Sequence, residues 1–198
     1  VQEMMKTFST TLPFTDVKNT DWCFSEVARV YADGIMGGTS NTTFSPAGTL
    51  TRGQVVAMLY RMAGSPAVTA NTTGFSDVDN GAYYADAVKW ASGKEIVGGY
   101  ADGTFAPNRA ITREQLAAIL YRYAKANGAD ISVGEDTNLL SYKDFQSVGQ
   151  YAVPALQWAV GSGLIGGTTN AMLSPKGTAT RAQAAVILVR FVGMTAAK

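Results

Sequence analysis

One helix-starting motif occurs three times in this chain of 198 residues. The motif reads Thr-Arg-x-Gln followed by an apolar run, and its copies begin at Thr51, Thr112 and Thr180. A Thr at the N-cap and a Gln three positions later can satisfy two otherwise unpaired backbone N–H groups reciprocally. Each copy therefore predicts the start of a helix.

The motif is the end of a longer repeated unit. Each unit begins with an aromatic residue two positions before an Asp, and the spacing from this Asp to the motif Arg is 36 residues in the first two copies and 37 in the third. These pairs are Asp16 with Arg52, Asp77 with Arg113, and Asp144 with Arg181. A unit of roughly 50 residues is too small to bury an adequate core alone, so we expect the three to share one core.

The unit boundaries predict the domain organisation. A first helix over 25–32, with Val27, Val30 and Tyr31 facing inward, ends at Gly34 in unit one, and 82–92 is its counterpart in unit two. An apolar Gly-Gly step, a Pro-containing loop and the motif helix follow. The predicted segments are a tail at 1–13, repeats at 14–64, 75–126 and 142–194, and linkers at 65–74 and 127–141. The fold class is mainly α, with two helices per repeat.

Composition excludes several classes of function. A formal net charge of +1 without a basic run gives no electrostatic footprint for nucleic acid or a membrane surface, and no apolar stretch approaches the ~20 residues of a spanning helix. Histidine is absent and Cys23 is the single cysteine, which excludes His-dependent catalysis, a disulfide within the chain and a Cys-based metal site. We expect no metal and no cofactor, and a buried Cys23.

The order of the motifs resembles the S-layer homology (SLH) domain in a tandem of three. The resemblance covers about residues 14 to 194 and implies a pseudo-threefold arrangement around a central three-helix bundle, with ligand grooves between neighbouring repeats. It also implies an extracellular module, at the bacterial cell surface, that binds secondary cell-wall polysaccharide, often through a pyruvylated terminal sugar.

The resemblance implies site residues as well. The polymer-contacting Arg of the family motif corresponds to Arg52, Arg113 and Arg181. The groove Asp, the second Gly of each glycine pair and the groove aromatic correspond to Asp16, Asp77 and Asp144, to Gly38, Gly99 and Gly167, and to Trp22, Tyr83 and Tyr151. One departure is the fourth motif residue, which is commonly Glu in the family and is Gln54, Gln115 and Gln183 here.

Each residue class leaves two interpretations open. The Arg at the first helical position lies beside free N–H groups and the positive end of the helix dipole, which favours an anion, but it could instead form a structural ion pair with the repeated Asp. The glycine pairs could form turns with positive φ or allow close approach of a sugar. The groove aromatics could stack on a sugar or pack in the core, as Trp90 and Trp158 are expected to do.

Three hypotheses of function follow from these residues. The first is a glycan-binding anchor that uses the three Arg corners together. The second is a structural module for surface-layer self-association without direct glycan binding. The third is a glycan-cleaving enzyme, which is disfavoured because a glycosidase needs two facing carboxylates and each repeat supplies a single recurring Asp.

Overall fold

Capping by the Thr-Arg-x-Gln motif starts the second helix of every repeat. In the first two copies the Thr side chain accepts from the Gln backbone N–H and the Gln side chain accepts from the Thr N–H, which forms a capping box. The third copy makes the same two bonds, from Thr180 N to Gln183 Oε1 at 3.1 Å and from Gln183 N to Thr180 Oγ1 at 3.2 Å. The predicted helix starts are confirmed, and Gln replaces Glu without loss of the cap.

The structure, a computed structural model, describes residues 11–134 and 136–196, so that most of the predicted tail lies outside the described residues. These residues contain six α-helices and isolated β-bridges but no strand. The helices are α1 (Phe24–Ala32), α2 (Arg52–Met62), α3 (Ala85–Gly93), α4 (Arg113–Ala126), α5 (Val153–Gly161) and α6 (Arg181–Ala196). Short 3₁₀ turns lie at Leu139–Ser141, Phe145–Ser147, Gln150–Ala152 and Thr169–Ala171. The predicted mainly α class is confirmed.

The helices pair in a closed cycle between repeats. The second helix of each repeat packs on the first helix of the next, so α2 lies against α3, α4 against α5, and α6 against α1. The segments that precede the second helices are joined by bridges between Thr51 and Ala110, Thr112 and Thr178, and Thr49 and Thr180. This cycle returns from repeat three to repeat one, which is the predicted pseudo-threefold arrangement around α2, α4 and α6.

One continuous apolar core contains residues from all three repeats. The ring of Tyr123 in α4 contacts that of Phe191 in α6, with centroids 5.6 Å apart, and contacts Trp90 of α3 at 6.0 Å. Cys23, Trp90 and Trp158 are buried, as predicted. None of the described helices combines the length and the apolar composition that a membrane-spanning helix needs.

Two predictions about the first helices need correction. Helix α3 begins at Ala85 rather than Ala82, because Asp79 turns the chain by accepting the Gly81 and Ala82 N–H groups on its side chain and carbonyl. Tyr31 is partly exposed rather than internal, since its ring lies on the outer side of the buried Phe14 ring, edge-on and with centroids 5.1 Å apart. Gly34 ends α1 with φ 69°, as predicted.

Candidate functional site

Each motif Arg reaches across a repeat boundary to the Gly-Gly loop of the next repeat, where the Gly-Gly loops are residues 37–46, 98–107 and 166–175. Arg52 donates from Nε to the carbonyl of Phe105 at 2.9 Å and from Nη2 to the carbonyl of Gly98 at 3.0 Å. The equivalent bonds join Arg113 to Leu173 and Gly166, and Arg181 to Phe44 and Gly37. The three guanidinium groups therefore hold the Gly-Gly loops in place.

The repeated Asp holds the same loop from its other side. Both carboxylate oxygens of Asp16 accept backbone N–H groups, from Phe44 at 2.8 Å and from Ser45 at 2.7 Å. Burial alone would raise the pKa of this carboxyl, but the two N–H donors hold the pKa below its usual value. Asp77 and Asp144 make the same pair of bonds in their loops.

The structural ion pair between Arg and Asp, one of the two interpretations of the sequence, is wrong. Among the ion pairs of the described residues, none joins a motif Arg to a repeated Asp. The physical reason is that both side chains are occupied by the backbone of the loop that lies between them. Asp and Arg recur in step because each loop needs both its N–H groups and its carbonyls satisfied.

The expected use of free N–H groups at the helix starts is also wrong. The first two N–H groups of α2, those of Arg52 and Gly53, donate to the carbonyls of Arg109 and Pro107 at 3.0 and 2.9 Å. In α4 and α6 the first two N–H groups donate to the equivalent loops. These donors tie neighbouring repeats together, so an anion at the site would depend on side chains rather than on the helix ends.

The second glycine of each pair is required for packing within the protein. A Cβ on Gly38 would lie 2.4 Å from the carbonyl oxygen of Ser40 and 2.5 Å from the ring of Phe14. Gly99 and Gly167 face Phe75 and Tyr142 in the same way. None of the three has positive φ, so the turn interpretation is wrong for them, and the close approach is made by the first aromatic residue of the repeat.

The first glycine of each pair is under no such constraint. A Cβ on Gly37, Gly98 or Gly166 would have nothing within 4 Å, and φ is not positive at any of them. Their carbonyls accept the Arg hydrogen bonds, and Gly37 and Gly98 each line a groove between repeats. These glycines therefore leave room for a ligand against the backbone, and Gly38 also lines the groove of Gly37.

The three groove aromatics are at the surface. Trp22 is 68% exposed, Tyr83 65% and Tyr151 53%, and the interpretation as core residues is therefore wrong. Tyr83 rests edge-on against Tyr84, with centroids 4.9 Å apart, and this contact holds its ring in place. An exposed ring fixed from below is suited to stacking on the apolar face of a sugar.

A groove of about 380 Å³, here called the first groove, combines these elements. Arg181 of repeat three, the loop of repeat one, helix α2 and Tyr83 of repeat two form its walls. Its lining residues are Gly37, Gly38, Thr39, Gln54, Ala57, Met58, Arg61, Tyr83 and Arg181. All three repeats contribute, so the groove exists only in the assembled cycle.

The charge of the first groove is positive. Its lining contains two arginines and no acidic residue. Arg61 donates from Nη1 to the carbonyl of Ile35 at 3.3 Å, and both arginines lie close enough to Tyr83 to lower the pKa of its hydroxyl, although burial raises that pKa overall. Burial lowers the pKa of Arg181, and a guanidinium remains protonated at neutral pH despite such a shift. The groove therefore offers cations, an amide and an aromatic face to a ligand.

A second groove has the same plan one repeat further on. The volume of this second groove is only about 40 Å³. Its equivalents of Arg181, Gly37, Gln54, Arg61 and Tyr83 are Arg52, Gly98, Gln115, Arg122 and Tyr151. Tyr151 donates from its hydroxyl to Glu114 Oε1 at 3.0 Å, and this bond together with burial raises the pKa of Tyr151. Glu114 is buried and also accepts the Gly149 N–H and the Lys176 ammonium.

Sequence reasoning missed the wall that α2 and α4 contribute. Gln54, Ala57, Met58 and Arg61 lie at helical spacings of three, four and seven residues, which places them on one face of α2. The sequence has an Arg nine residues after each motif Arg, at Arg61, Arg122 and Arg190, and this spacing predicts that each lies on the last turn of its own helix. Arg61 does lie on the last turn of α2. Helices α4 and α6 extend beyond that turn, and Arg61 and Arg190 donate to carbonyls that follow α1 and α5. The sequence signal for this wall was the helical spacing that places Arg61 on the same face of α2 as Gln54.

Curated relatives align with nearly the whole chain. An endoglucanase of Bacillus sp. (strain KSM-635) is 37% identical over 91% of the chain, and a cellulosome-anchoring protein of Acetivibrio thermocellus is 25% identical over 90%. A surface-layer 125 kDa protein of Lysinibacillus sphaericus is 28% identical over 80%. The chain spans only 19%, 40% and 13% of these three proteins, so the aligned part is one region of larger proteins.

The family comparison matches each repeat separately. The model of the S-layer homology domain matches residues 13–56, 74–117 and 141–185, which together form most of the chain. The order of motifs, the cyclic helical fold and these matches agree. The chain belongs to the S-layer homology domain family, whose members are extracellular modules that anchor proteins to the bacterial cell wall, and it does so as a tandem of three repeats.

Proposed function

We propose that this chain anchors a larger protein non-covalently by binding an anionic secondary cell-wall polysaccharide in grooves between its repeats. The acidic group is a carboxylate on a terminal sugar, carried there as a pyruvate ketal. The three repeats act as one unit, because each groove takes walls from more than one of them.

The observation that carries the proposal is the lining of the first groove. The guanidinium groups of Arg61 and Arg181 line the same groove as an exposed tyrosine ring. No carboxylate is present in that lining. Arg181 donates hydrogen bonds from Nε and Nη2 to loop carbonyls. Its Nη1 donates none to the described residues. This donor and Arg61 can receive a carboxylate, and charge-assisted bonds of this kind are stronger than neutral ones.

The remaining walls suit a sugar ring. Tyr83 offers an aromatic face, Gln54 an amide, and Gly37 a stretch of backbone without a side chain. A volume of about 380 Å³ lies within the range of small-molecule sites, roughly 300 to 1,000 Å³. Weak binding at more than one groove would add up on a repeating polymer, since the second contact forms at high effective concentration.

The test is co-sedimentation with sacculi of the source bacterium, before and after acid extraction of the secondary polymer. Replacing Arg181 with Ala would also release its loop, so the informative variants are Arg61→Gln and Tyr83→Ala. Among the described residues, neither side chain bonds to residues 37–46, and Arg61 bonds only to the Ile35 carbonyl before them. The charge-matched control is Lys94→Gln, an exposed residue after α3. We expect each groove variant to weaken sedimentation at least tenfold and the control to leave it unchanged.

Two results of the sedimentation test would contradict binding of the polymer in the groove. Sedimentation that survives extraction of the polymer, or that both groove variants retain, would contradict the proposal. Self-association in the absence of polymer would instead support a surface-layer assembly module. The proposal includes no catalysis, because hydrolysis of a glycosidic bond needs two facing carboxylates and the lining of the first groove has none. Release of reducing ends from purified polymer would contradict that part.

A further inference from the structure

We propose that the grooves are unequal, with Tyr100 closing the second groove to the glycan and the first groove binding it. This inference rests on the proposed function and adds which groove carries it. The position concerned is the residue directly after each glycine pair, which is Thr39 in repeat one, Tyr100 in repeat two and Thr168 in repeat three.

Tyr100 reaches from its loop to Gln115 of helix α4, next to the guanidinium of Arg52. The Arg52 guanidinium lies over its ring, 5.1 Å from the centroid, and that of Arg109 lies 5.6 Å from the same centroid. The Tyr100 hydroxyl is 3.4 Å from Nε2 of Gln115, which donates to it. Two of the groups that could bind a ligand, Arg52 and Gln115, are therefore already in contact with a side chain of the protein.

Thr39 leaves the corresponding space open. Its hydroxyl turns into its own loop and bonds to the Thr43 carbonyl at 3.3 Å and the Ser45 hydroxyl at 2.7 Å. Thr168 is turned in the same way, toward Met172 and Ser174. Arg181 and Gln54 consequently face a groove of about 380 Å³, whereas Arg52 and Gln115 face one of about 40 Å³.

Most of the other wall positions match between the two grooves, although the Tyr151 hydroxyl bonds to Glu114 and the first groove has Gly53 at that position. Gln54 and Gln115, Ala57 and Ala118, and Arg61 and Arg122 are identical pairs, and Tyr83 corresponds to Tyr151. Met58 and Ile119 are similar in size. The exposed fractions of Arg52 and Arg181 are also close, 6% and 5%, so the two grooves differ in the space beside the guanidinium, which Tyr100 fills in the second groove.

A reciprocal exchange tests the inference. The four proteins are the wild type, Thr39→Tyr, Tyr100→Thr, and the double variant, each checked for an unchanged thermal midpoint. The probe is the wall polysaccharide released by acid from sacculi of the source bacterium and cut to short chains, titrated by calorimetry. Arg Nε–Hε signals in NMR spectra report which guanidinium the probe contacts.

The expected results differ for each protein. Thr39→Tyr loses the site that shifts the Arg181 signal, Tyr100→Thr gains a site that shifts the Arg52 signal, and the double variant exchanges one for the other. A wild type that binds the polysaccharide but shifts Arg52 as strongly as Arg181 would overturn the inference, as would exchanges that leave both signals unchanged. A wild type that does not bind at all would contradict the proposed function itself.

Discussion

Asp16 and Arg181 hold the same residue, Phe44, by its two backbone groups. The Asp16 carboxylate accepts the Phe44 N–H, and the Arg181 Nε donates to the Phe44 carbonyl. Asp16 begins repeat one and Arg181 begins the last helix, so this clamp closes the cycle of three repeats. It also fixes the loop that forms one wall of the first groove. The stability of the cycle of repeats is therefore linked to the shape of the groove.

The clamp predicts a large effect of Asp16→Asn on stability. An amide keeps one acceptor oxygen and places an NH₂ group where the second N–H now donates, so the Ser45 N–H loses its partner. Hydrogen bonds to charged groups contribute about 1.5–3 kcal/mol, and we expect the free energy of unfolding in urea to fall by about 2 kcal/mol. Asp33→Asn, which breaks only the exposed pair with Arg29, is the control and should cost less than about 1 kcal/mol. Equal losses would contradict the clamp.

The same carboxyl predicts how stability depends on pH. Its pKa is lowered in the folded protein, so its contribution is present above the unfolded value of about 3.9 and is lost as pH falls through the lower folded value. The difference in unfolding free energy between wild type and Asp16→Asn should therefore be greatest at neutral pH and shrink below about pH 4. Urea titrations from pH 7 to pH 2.5 measure this difference. A constant difference would show that the charge of Asp16 is not involved.

Much of the fold was predictable because three copies of one pattern restrict each other. The capping boxes, the buried Trp90 and the end of α1 at Gly34 follow from local rules that act within a few residues. The partners of Arg52 did not follow, because its carbonyl acceptors lie in another repeat and backbone carbonyls carry no sequence signal. The exposure of Tyr83 was missed for the related reason that its helix begins three residues later than its apolar pattern indicated, so that Tyr83 precedes the helix.

The two glycines of the first pair should respond differently to Ala. At Gly38 the new Cβ would meet two backbone oxygens at 2.4 and 2.5 Å, and we expect a loss of at least about 2 kcal/mol of unfolding free energy. At Gly37 the Cβ would enter open space, and the change should stay within about 0.5 kcal/mol. Sedimentation with sacculi should nevertheless weaken for Gly37→Ala, because this Cβ narrows the first groove. If Gly37→Ala left binding intact, the glycan would not lie against this loop.

Helix α3 ends on a strained residue that offers a route to higher stability. Glu95 has φ 58°, whereas the corresponding residues after α1 and α5 are Gly34 and Gly163 with φ 69° and 71°. A non-glycine residue in this region costs of order 1 kcal/mol, so Glu95→Gly should raise the free energy of unfolding by about 0.5–1 kcal/mol. The control is Lys94→Gly, which has φ −99° and should not stabilise. Thermal and urea unfolding of both variants measure the change in unfolding free energy. A loss of stability in Glu95→Gly would contradict the strain at Glu95.

The first turn of α2 depends on a size match between two repeats. A Cβ on Gly53 would lie 3.1 Å from the Tyr84 ring and 3.2 Å from the Pro107 carbonyl oxygen. At the equivalent boundary in α4 the pair is Glu114 with Ala152, so the larger side chain has moved from one partner to the other. Gly here is a packing requirement rather than a weakness of the helix start.

A double-mutant cycle measures this match. Gly53→Ala alone should cost about 1–2 kcal/mol of unfolding free energy through overpacking against Tyr84. In the Tyr84→Ala background the same change should cost less than about 0.5 kcal/mol, because the ring is gone and Ala favours a helix over Gly. The coupling energy should therefore reach about 1 kcal/mol, measured by urea unfolding. Additive effects of the two substitutions would mean that Tyr84 and Gly53 do not constrain each other, and the Pro107 carbonyl would then be the contact that requires glycine.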